Sequence, residues 1–335
     1  MLGPDYTGAL FVLNQRNDYE YDAYMLNSED EIQSYLDAFG LTPAETNRLI
    51  DVKQTKPEDA ETAAIKQFIT SLLEEFPSSY EMSLAARMIQ QKAFDNDDLI
   101  KTNPDKILLS WIEEESRLFF AIENDRYSSL ISKGFSSVDE FTTLANTILN
   151  RRKSRAGKSL ENHLSAIFDG NDIKYTAQGI TEGNKKPDFI FPSIEDYHDK
   201  LFSIDRLCTL AAKTTCKDRW RQVLNEANRL RDKHKYLCTM QQGISSRQMD
   251  EMESEGVILV VPKPYISTYP KEKQNLIWTL NKFVGYVKEI LNFTILLGSS
   301  VPKIFMSLPT HARVMLHPCF MRERVAAEIS YWVFS

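Results

Sequence analysis

The sequence predicts an α/β protein in which a sheet core follows a helical N-terminal part. Over residues 60–153, apolar side chains recur at the spacing of amphipathic helices. After Gly170 the spacing changes, and short β-branched or aromatic runs appear between turn residues, as in strands. The run GVILVVP, which begins at Gly256, is apolar throughout, and this is typical of a strand covered on both faces.

The predicted helices of the N-terminal part have recognisable ends. SEDEIQSYLDAFG starts at Ser28, a good helix N-cap, and stops at Gly40. SVDEFTTLANTILNRRK starts at Ser137 with Glu140 three residues on, which is a capping box. The other predicted helices span residues 41–50, 61–76, 80–94 and 107–127.

The predicted core alternates strands with two amphipathic helices, one before the first strand and one after Asp218. The predicted strands are Ile173–Tyr175, Phe189–Phe191, Leu207–Ala212 and Val257–Val261. The apolar stripe of the first helix consists of Leu160, Leu164, Ile167 and Phe168, and that of the second consists of Trp220, Val223, Leu224, Ala227 and Leu230.

Composition favours a soluble, cytoplasmic protein. A chain of 335 residues is long enough to bury a stable core. The N-terminus lacks the basic region and apolar run of a signal peptide, and the longest apolar run, from Ile290 to Gly298, is too short to span a bilayer. The 4 cysteines form no CxxC pair, so we expect neither a structural zinc site nor a disulfide scaffold.

The charge is unevenly distributed. The formal net charge is −7, which on its face argues against nucleic acid as a partner. Residues 151–235, however, hold 18 Lys and Arg against 12 Asp and Glu, an excess of +6 that leaves −13 for the rest. The first 60 residues hold 12 acids and 4 bases. This asymmetry indicates a basic working surface on an acidic scaffold, and the alternative is a solvated helix face with chance clustering.

Residue types suited to phosphodiester hydrolysis occur within the basic zone. Asp188 opens a predicted strand after Pro187, and Lys213 ends another strand 25 residues later, which is the PD…xK skeleton of metal-dependent nucleases. Carboxylates hold Mg²⁺, and a lysine beside them orients the attacking water and stabilises the charged phosphorus. The acid that usually stands two residues before the lysine is replaced by Ala211. Taken alone, Asp188 is equally well a turn cap and Lys213 a surface lysine.

Two further acids have suitable positions. Glu226 follows Lys213 by 13 residues on the next predicted helix and is able to return a carboxylate to the metal. Glu161 lies beside the apolar stripe of the preceding helix, near the expected sheet edge. The alternative for each is an ordinary exposed helix acid.

The strings KTTCKDRWRQVLNEA, KPDFIFP and RKSRAGKSLE closely resemble the catalytic domain of EcoRII-type restriction endonucleases. This group belongs to the PD-(D/E)xK superfamily, and in it the second acid has moved from the strand to the following helix. The resemblance therefore accounts for Ala211, and it runs over about residues 70–285. It implies a restriction-endonuclease-like core, a mixed central sheet flanked by helices.

The resemblance also implies roles for individual residues. Asp188 and Glu226 would bind Mg²⁺, Lys213 would serve the attacking water, and Glu161 and Tyr197 would complete the catalytic group. Lys217, Asp218 and Arg219 match the base-reading element, and their donors and acceptor suit guanine and cytosine edges in the major groove. The cations expected at DNA phosphates are Arg151, Arg152, Lys153 and Arg155.

The implied protein is a homodimeric, Mg²⁺-dependent type II restriction endonuclease that cuts double-stranded DNA at a CC–GG palindrome, with CCWGG cut before the first C favoured. A cognate DNA methyltransferase would protect the host. We expect residues 1–70 to be an acidic extension too short for the family's effector domain, residues 71–290 to be the catalytic domain, and residues 291–335 to be an extension of unknown role. The alternatives are a CCNGG-type or repair nuclease of the same fold, or an inactive DNA-binding module.

Overall fold

A computed structural model describes residues 8–17, 20–39, 41, 60–216 and 220–299. The chain divides into two compact units, Met1–Ile290 and Leu291–Ser335. The first unit contains a five-stranded mixed sheet, a separate two-stranded sheet and a layer of helices. The three domains expected from the sequence, 1–70, 71–290 and 291–335, stay a prediction.

The N-terminal part is not wholly helical, which corrects the sequence prediction. Strands β1 (Leu10–Asn17) and β2 (Glu20–Leu26) form an antiparallel hairpin with Leu10 opposite Leu26. The aromatic and β-branched side chains of Phe11 and Val12 favour the strand conformation. Helix α1 (Glu29–Phe39) follows as predicted, whereas residues 42–50 of the next predicted helix lie outside the described residues.

The helical layer follows the predicted order. Its core joins Met82, Ala85 and Ile89 to Leu118 and Ile122. The helices of the layer are α2 (Ala60–Ser71), α3 (Ser79–Phe94), α4 (Leu99–Thr102), α5 (Pro104–Lys133) and α6 (Val138–Gly170).

Helix α6 is one helix of 33 residues where the sequence predicts two. It starts after the expected cap, since the Ser137 hydroxyl accepts a hydrogen bond from the Glu140 amide at 3.1 Å. Gly157 costs a helix only about 1 kcal/mol relative to alanine, and no proline stands near it. The helix therefore continues to Gly170, and its predicted stripe of Leu160, Leu164 and Ile167 is fully buried.

The sheet has the order β3-β4-β5-β6-β7, in which the first three strands are antiparallel and the last three parallel. The predicted strand Ile173–Tyr175 is wrong, because β3 begins only after it, whereas β4, β5 and β7 match their predictions within one residue. Strand β6, KYLCT, is missed by the sequence prediction because it begins with a lysine after a charged run, yet all of it is buried. The strands are β3 (Thr176–Ala177), β4 (Phe189–Phe191), β5 (Cys208–Lys213), β6 (Lys235–Thr239) and β7 (Val257–Val260).

The helix predicted after Asp218 is wrong beyond its first turn. Trp220, Val223, Ala227 and Leu230 are buried, as the predicted apolar stripe required. Helix α8 (Trp220–Val223), however, ends at Val223, and the residues after it form a turn and then a 3₁₀ turn (Asn228–Leu230). The helices around the sheet are α7 (Ile194–His198), α8 (Trp220–Val223), α9 (Ser246–Ser254) and α10 (Leu280–Ser299). No helix in the described part of the chain is long and apolar enough to cross a membrane.

Candidate active site

The structure brings Asp188 and Lys213 together. Asp188 immediately precedes β4 and Lys213 ends β5, and these strands pair antiparallel with Phe189 opposite Leu210. The Asp188 carboxylate is buried, and its Oδ2 accepts hydrogen bonds from the Ala212 amide and the Lys213 ammonium, both at 2.8 Å. The pair thus forms without an acid at position 211, because the Ala212 amide and the Lys213 ammonium hold the aspartate.

Gln178 belongs to the same site and was not predicted from the sequence. Its side-chain Nε2 donates to Asp188 Oδ1 at 2.9 Å and to Glu161 Oε2 at 3.3 Å. Glu161 also accepts a hydrogen bond from Lys158 at 2.9 Å. Glu161 is therefore linked to the Asp188–Lys213 pair through a neutral amide.

Glu226 lies in the turn after α8, which corrects its predicted place on a helix. The Thr181 hydroxyl donates to the Glu226 carbonyl at 2.5 Å, and Lys185 Nζ donates to the Asn225 carbonyl at 2.7 Å. Burial raises the pKa of the Glu226 carboxyl to about 7, with Lys213 lowering it and the Asp188 charge raising it further. The turn thus holds Glu226 within electrostatic reach of the aspartate and the lysine.

The donor set suits a hard cation. Mg²⁺ is commonly held by one or two carboxylates together with water and substrate phosphate, and the site has two such carboxylates, Asp188 and Glu226, with the Asp188 charge raising the pKa of Glu226. Within the described residues no three His, Cys, Asp or Glu side chains form a cluster that would hold a metal ion. Glu161 therefore joins the site through Gln178, not as a third member of a ligand cluster.

Tyr197 is a supporting residue in this geometry. It lies buried on α7, its hydroxyl donates to Glu182 Oε2 at 2.7 Å and accepts from the Arg229 amide at 3.2 Å. Burial, with the Glu182 hydrogen bond, raises its pKa. The hydroxyl thus braces the segment that follows Glu226.

The four cations of the basic segment separate into different environments. Arg155 is buried, contacts Glu115 at 3.8 Å and lies over the Phe119 ring, so it faces the helical layer in this conformation and its expected phosphate contact stays a prediction. Arg152 pairs with Glu123 and also donates to the carbonyls of Asp37 and Ala38.

Arg151 and Lys153 are more accessible. The half-buried Arg151 contacts Tyr127 and lies over the Phe76 ring, 3.9 Å from its centre. Lys153 is exposed on α6, so its predicted phosphate contact stays open. Lys217, Asp218 and Arg219 lie outside the described residues, and their base-reading role stays a prediction.

Comparison with known proteins identifies this domain. Residues 119–284 match the family model described as EcoRII C terminal. The type II restriction enzyme EcoRII of Escherichia coli is 49% identical over 184 residues, which are 55% of this chain and 45% of that protein. The type II restriction enzyme SsoII of Shigella sonnei is 24% identical over 196 residues, 49% of this chain and 62% of that protein. The chain thus spans about half the length of these relatives.

Solved structures show the same fold at lower identity. Metal-depleted Ecl18kI in complex with uncleaved, modified DNA has a TM-score of 0.53 and 19% identity over 71% of this chain and 85% of the other. The complex of restriction endonuclease PspGI with substrate DNA has a TM-score of 0.51 and 17% identity over 74% of this chain and 99% of the other. Residues 119–284 thus match the EcoRII C-terminal family model, and the core of the chain has the PD-(D/E)xK restriction-endonuclease fold.

Proposed function

We propose that this protein is a Mg²⁺-dependent type II restriction endonuclease that hydrolyses both strands of double-stranded DNA. The observation that carries the proposal is the Asp188–Lys213 pair, with Glu226 in electrostatic contact with both. Mg²⁺ on Asp188 and Glu226 would supply charge neutralisation at the phosphate and lower the pKa of a bound water. The match of residues 119–284 to the EcoRII C-terminal family model supports the same reaction.

The chain's own residues account for the remaining chemistry. Lys213 Nζ lies 2.8 Å from Asp188 Oδ2 and is about a quarter exposed, so it is able to donate a hydrogen bond to a water or phosphate oxygen. Asp188 keeps this ammonium fixed through a charge-assisted hydrogen bond. The lysine therefore orients the nucleophile and stabilises the phosphorane oxygens as charge develops.

We further propose CCWGG, cut before the first C, as the site, read by Lys217, Asp218 and Arg219. Lysine and arginine donate to guanine O6 and N7, and aspartate accepts from the cytosine amino group. A homodimer with one active site per subunit would cut both strands of the palindrome. Cells that hold this enzyme need a methyltransferase that protects the same sequence.

The test is digestion of sequenced plasmids with the full chain and Mg²⁺, followed by mapping of the cut ends. The plasmids differ only in the central base pair of a CC–GG site. We expect cuts before the first C at A and T centres, none at G or C centres, and none in EDTA. Cutting at every centre would replace CCWGG by CCNGG, and cutting at mismatches would indicate a repair nuclease. Specific binding without any cutting would overturn the enzyme assignment.

A further inference from the structure

Gln178 combines an unfavourable backbone conformation with contacts to two acids of the site. Its φ is +54°, in the left-handed region. Three other non-glycine residues of the described part share that region, and they are Asp95, Asp172 and Asn184. Aspartate and asparagine tolerate this conformation, whereas longer side chains seldom occupy it. Gln178 is therefore the exception that needs a reason.

The backbone places the Gln178 side chain beside the aspartate. Its amide N–H donates to the Asp188 carbonyl at 3.1 Å, which extends the pairing of β3 with β4 by one residue. The left-handed turn ends the strand there, and the half-buried side chain bonds to Asp188 Oδ1 and Glu161 Oε2. The neutral Gln178 amide thus lies between the Asp188 and Glu161 carboxylates and donates hydrogen bonds to both, which offsets the repulsion between their charges.

Counting acceptors shows what this does to Asp188. A carboxylate has about four acceptor positions, two on each oxygen. Oδ2 already accepts from the Ala212 amide and from Lys213, and Oδ1 accepts from Gln178. Three donors from two different segments therefore restrict rotation of the carboxylate and leave one acceptor position, on Oδ1.

We infer that Gln178 is a positioning residue of the cation site, which sets the orientation of the Asp188 carboxylate and tethers Glu161 to it. The inference rests on the proposed Mg²⁺-dependent function. Residues that orient metal ligands in this way typically change metal affinity 10–100-fold when they are altered. The backbone strain at Gln178 is consistent with this role, because strained residues persist where the surrounding structure requires them.

The test measures the thermal midpoint of the full chain without DNA as Mg²⁺ is titrated, because a ligand that binds the native state raises that midpoint. One series of measurements yields both the metal-free stability and the apparent Mg²⁺ affinity. For Gln178→Met, which keeps the side-chain length but removes the donor, we expect about 10–100-fold weaker Mg²⁺ binding. Gln67→Met, at an exposed position on α2, is the matched control and should bind Mg²⁺ like the unaltered protein.

Gln178→Asn separates positioning from a role in the turn alone. Asparagine suits the left-handed backbone better, so the metal-free midpoint should not fall, but its shorter amide does not span both carboxylates. We therefore expect weakened Mg²⁺ binding with undiminished stability. Unchanged Mg²⁺ affinity in either variant would overturn the inference while leaving the proposed nuclease intact. Absence of any Mg²⁺ response in the unaltered protein would overturn both.

Discussion

Two groups of polar and charged side chains include residues of helix α6, and they differ in what their charges face. The site cluster consists of Glu161, Gln178, Asp188, Lys213 and Glu226, and Lys213 and Glu226 stay partly open to solvent. The buried cluster, between α5 and α6, consists of Glu115, Arg155 and His163. There the His163 Nε2 lies 2.9 Å from Glu115 Oε2, and both side chains are fully buried.

The comparison shows that charge density alone does not mark a site. The buried cluster is also rich in titratable groups, but these groups face one another inside a helical layer. Buried pairs of this kind gain little stability, yet they are costly to break because a partner is left charged and unpaired. Changes in the site cluster should therefore alter chemistry, and changes in the buried cluster should alter folding.

The largest effect is expected for Lys213→Ala. Loss of the ammonium removes a donor at the reacting phosphate, and such donors contribute on the order of 10²–10³-fold in rate. The single-turnover cleavage rate should fall by at least that factor, while the Kd for specific DNA in EDTA stays close to that of the unaltered protein. Cleavage at the normal rate would remove Lys213 from the chemistry.

Arg155→Ala tests the buried cluster, with Lys153→Ala as its matched control on the same helix. Removal of Arg155 leaves Glu115 buried beside His163 alone, so the free energy of unfolding should fall by about 3–5 kcal/mol. Chemical denaturation measures it. Lys153→Ala should leave the free energy of unfolding unchanged and instead weaken DNA binding at every sequence. The slope of log K for DNA against log salt concentration should become about 1 smaller in magnitude. If instead Arg155→Ala weakened DNA binding and Lys153→Ala lowered the stability, the result would support the phosphate role that the sequence predicted for Arg155.

Helix period explains why the sequence prediction did not separate Arg155 from Lys153. Arg152, Arg155, Ser159 and His163 follow one another at spacings of three, four and four, so they share a face of α6 that turns toward α5. Counting charges along the chain placed them with Lys153, which lies on another face. The strings KPDFIFP and KTTCKDRW did predict Asp188, Lys213 and their strands, because those roles depend on residue type at strand ends. Gln178 was not predicted, because its place in the site depends on a backbone angle and a strand pairing.

Glu114→Gln uses pH to test a second buried group of the helical layer, in which Glu114 contacts Gln90 and Arg117. Burial, together with the neighbouring Glu61, raises the pKa of the Glu114 carboxyl to about 8, while Gln90 and Arg117 lower it. A carboxyl with a raised pKa stabilises the fold while protonated, and this stability is lost as pH rises from about 4.5 to about 8. The unaltered protein should therefore lose about 1 kcal/mol between pH 7 and pH 9 that Glu114→Gln retains.

The comparison of Glu114→Gln with the unaltered protein isolates this effect between pH 7 and pH 9, because the other groups titrate in both proteins. Burial lowers the pKa of His163, so the imidazole stays neutral there in the folded protein. Glu113→Gln, at a more exposed position on the same helix, is the control and should keep the slope of the unaltered protein. Urea titrations at several pH values measure how the free energy of unfolding changes with pH. An equal change for Glu114→Gln and the unaltered protein would show that Glu114 is already ionised at pH 7.

Tyr197 shares a property with each cluster. Its side chain is buried, as in the buried cluster, and its hydroxyl bonds to the backbone near Glu226 of the site cluster. Its hydroxyl bonds to Glu182 and to the Arg229 amide, three residues beyond Glu226, and it contacts neither Asp188 nor Lys213 in any hydrogen bond of the described residues. Tyr197→Phe removes only that hydroxyl, so stability should fall by about 1 kcal/mol. If the hydroxyl holds the Glu226 turn, the cleavage rate should fall by roughly tenfold or less, because 1.4 kcal/mol corresponds to tenfold. Added Mg²⁺ should then recover part of the rate, since a displaced carboxylate weakens metal binding more than chemistry. A loss as large as that of Lys213→Ala, without recovery, would place the tyrosine in the chemistry itself.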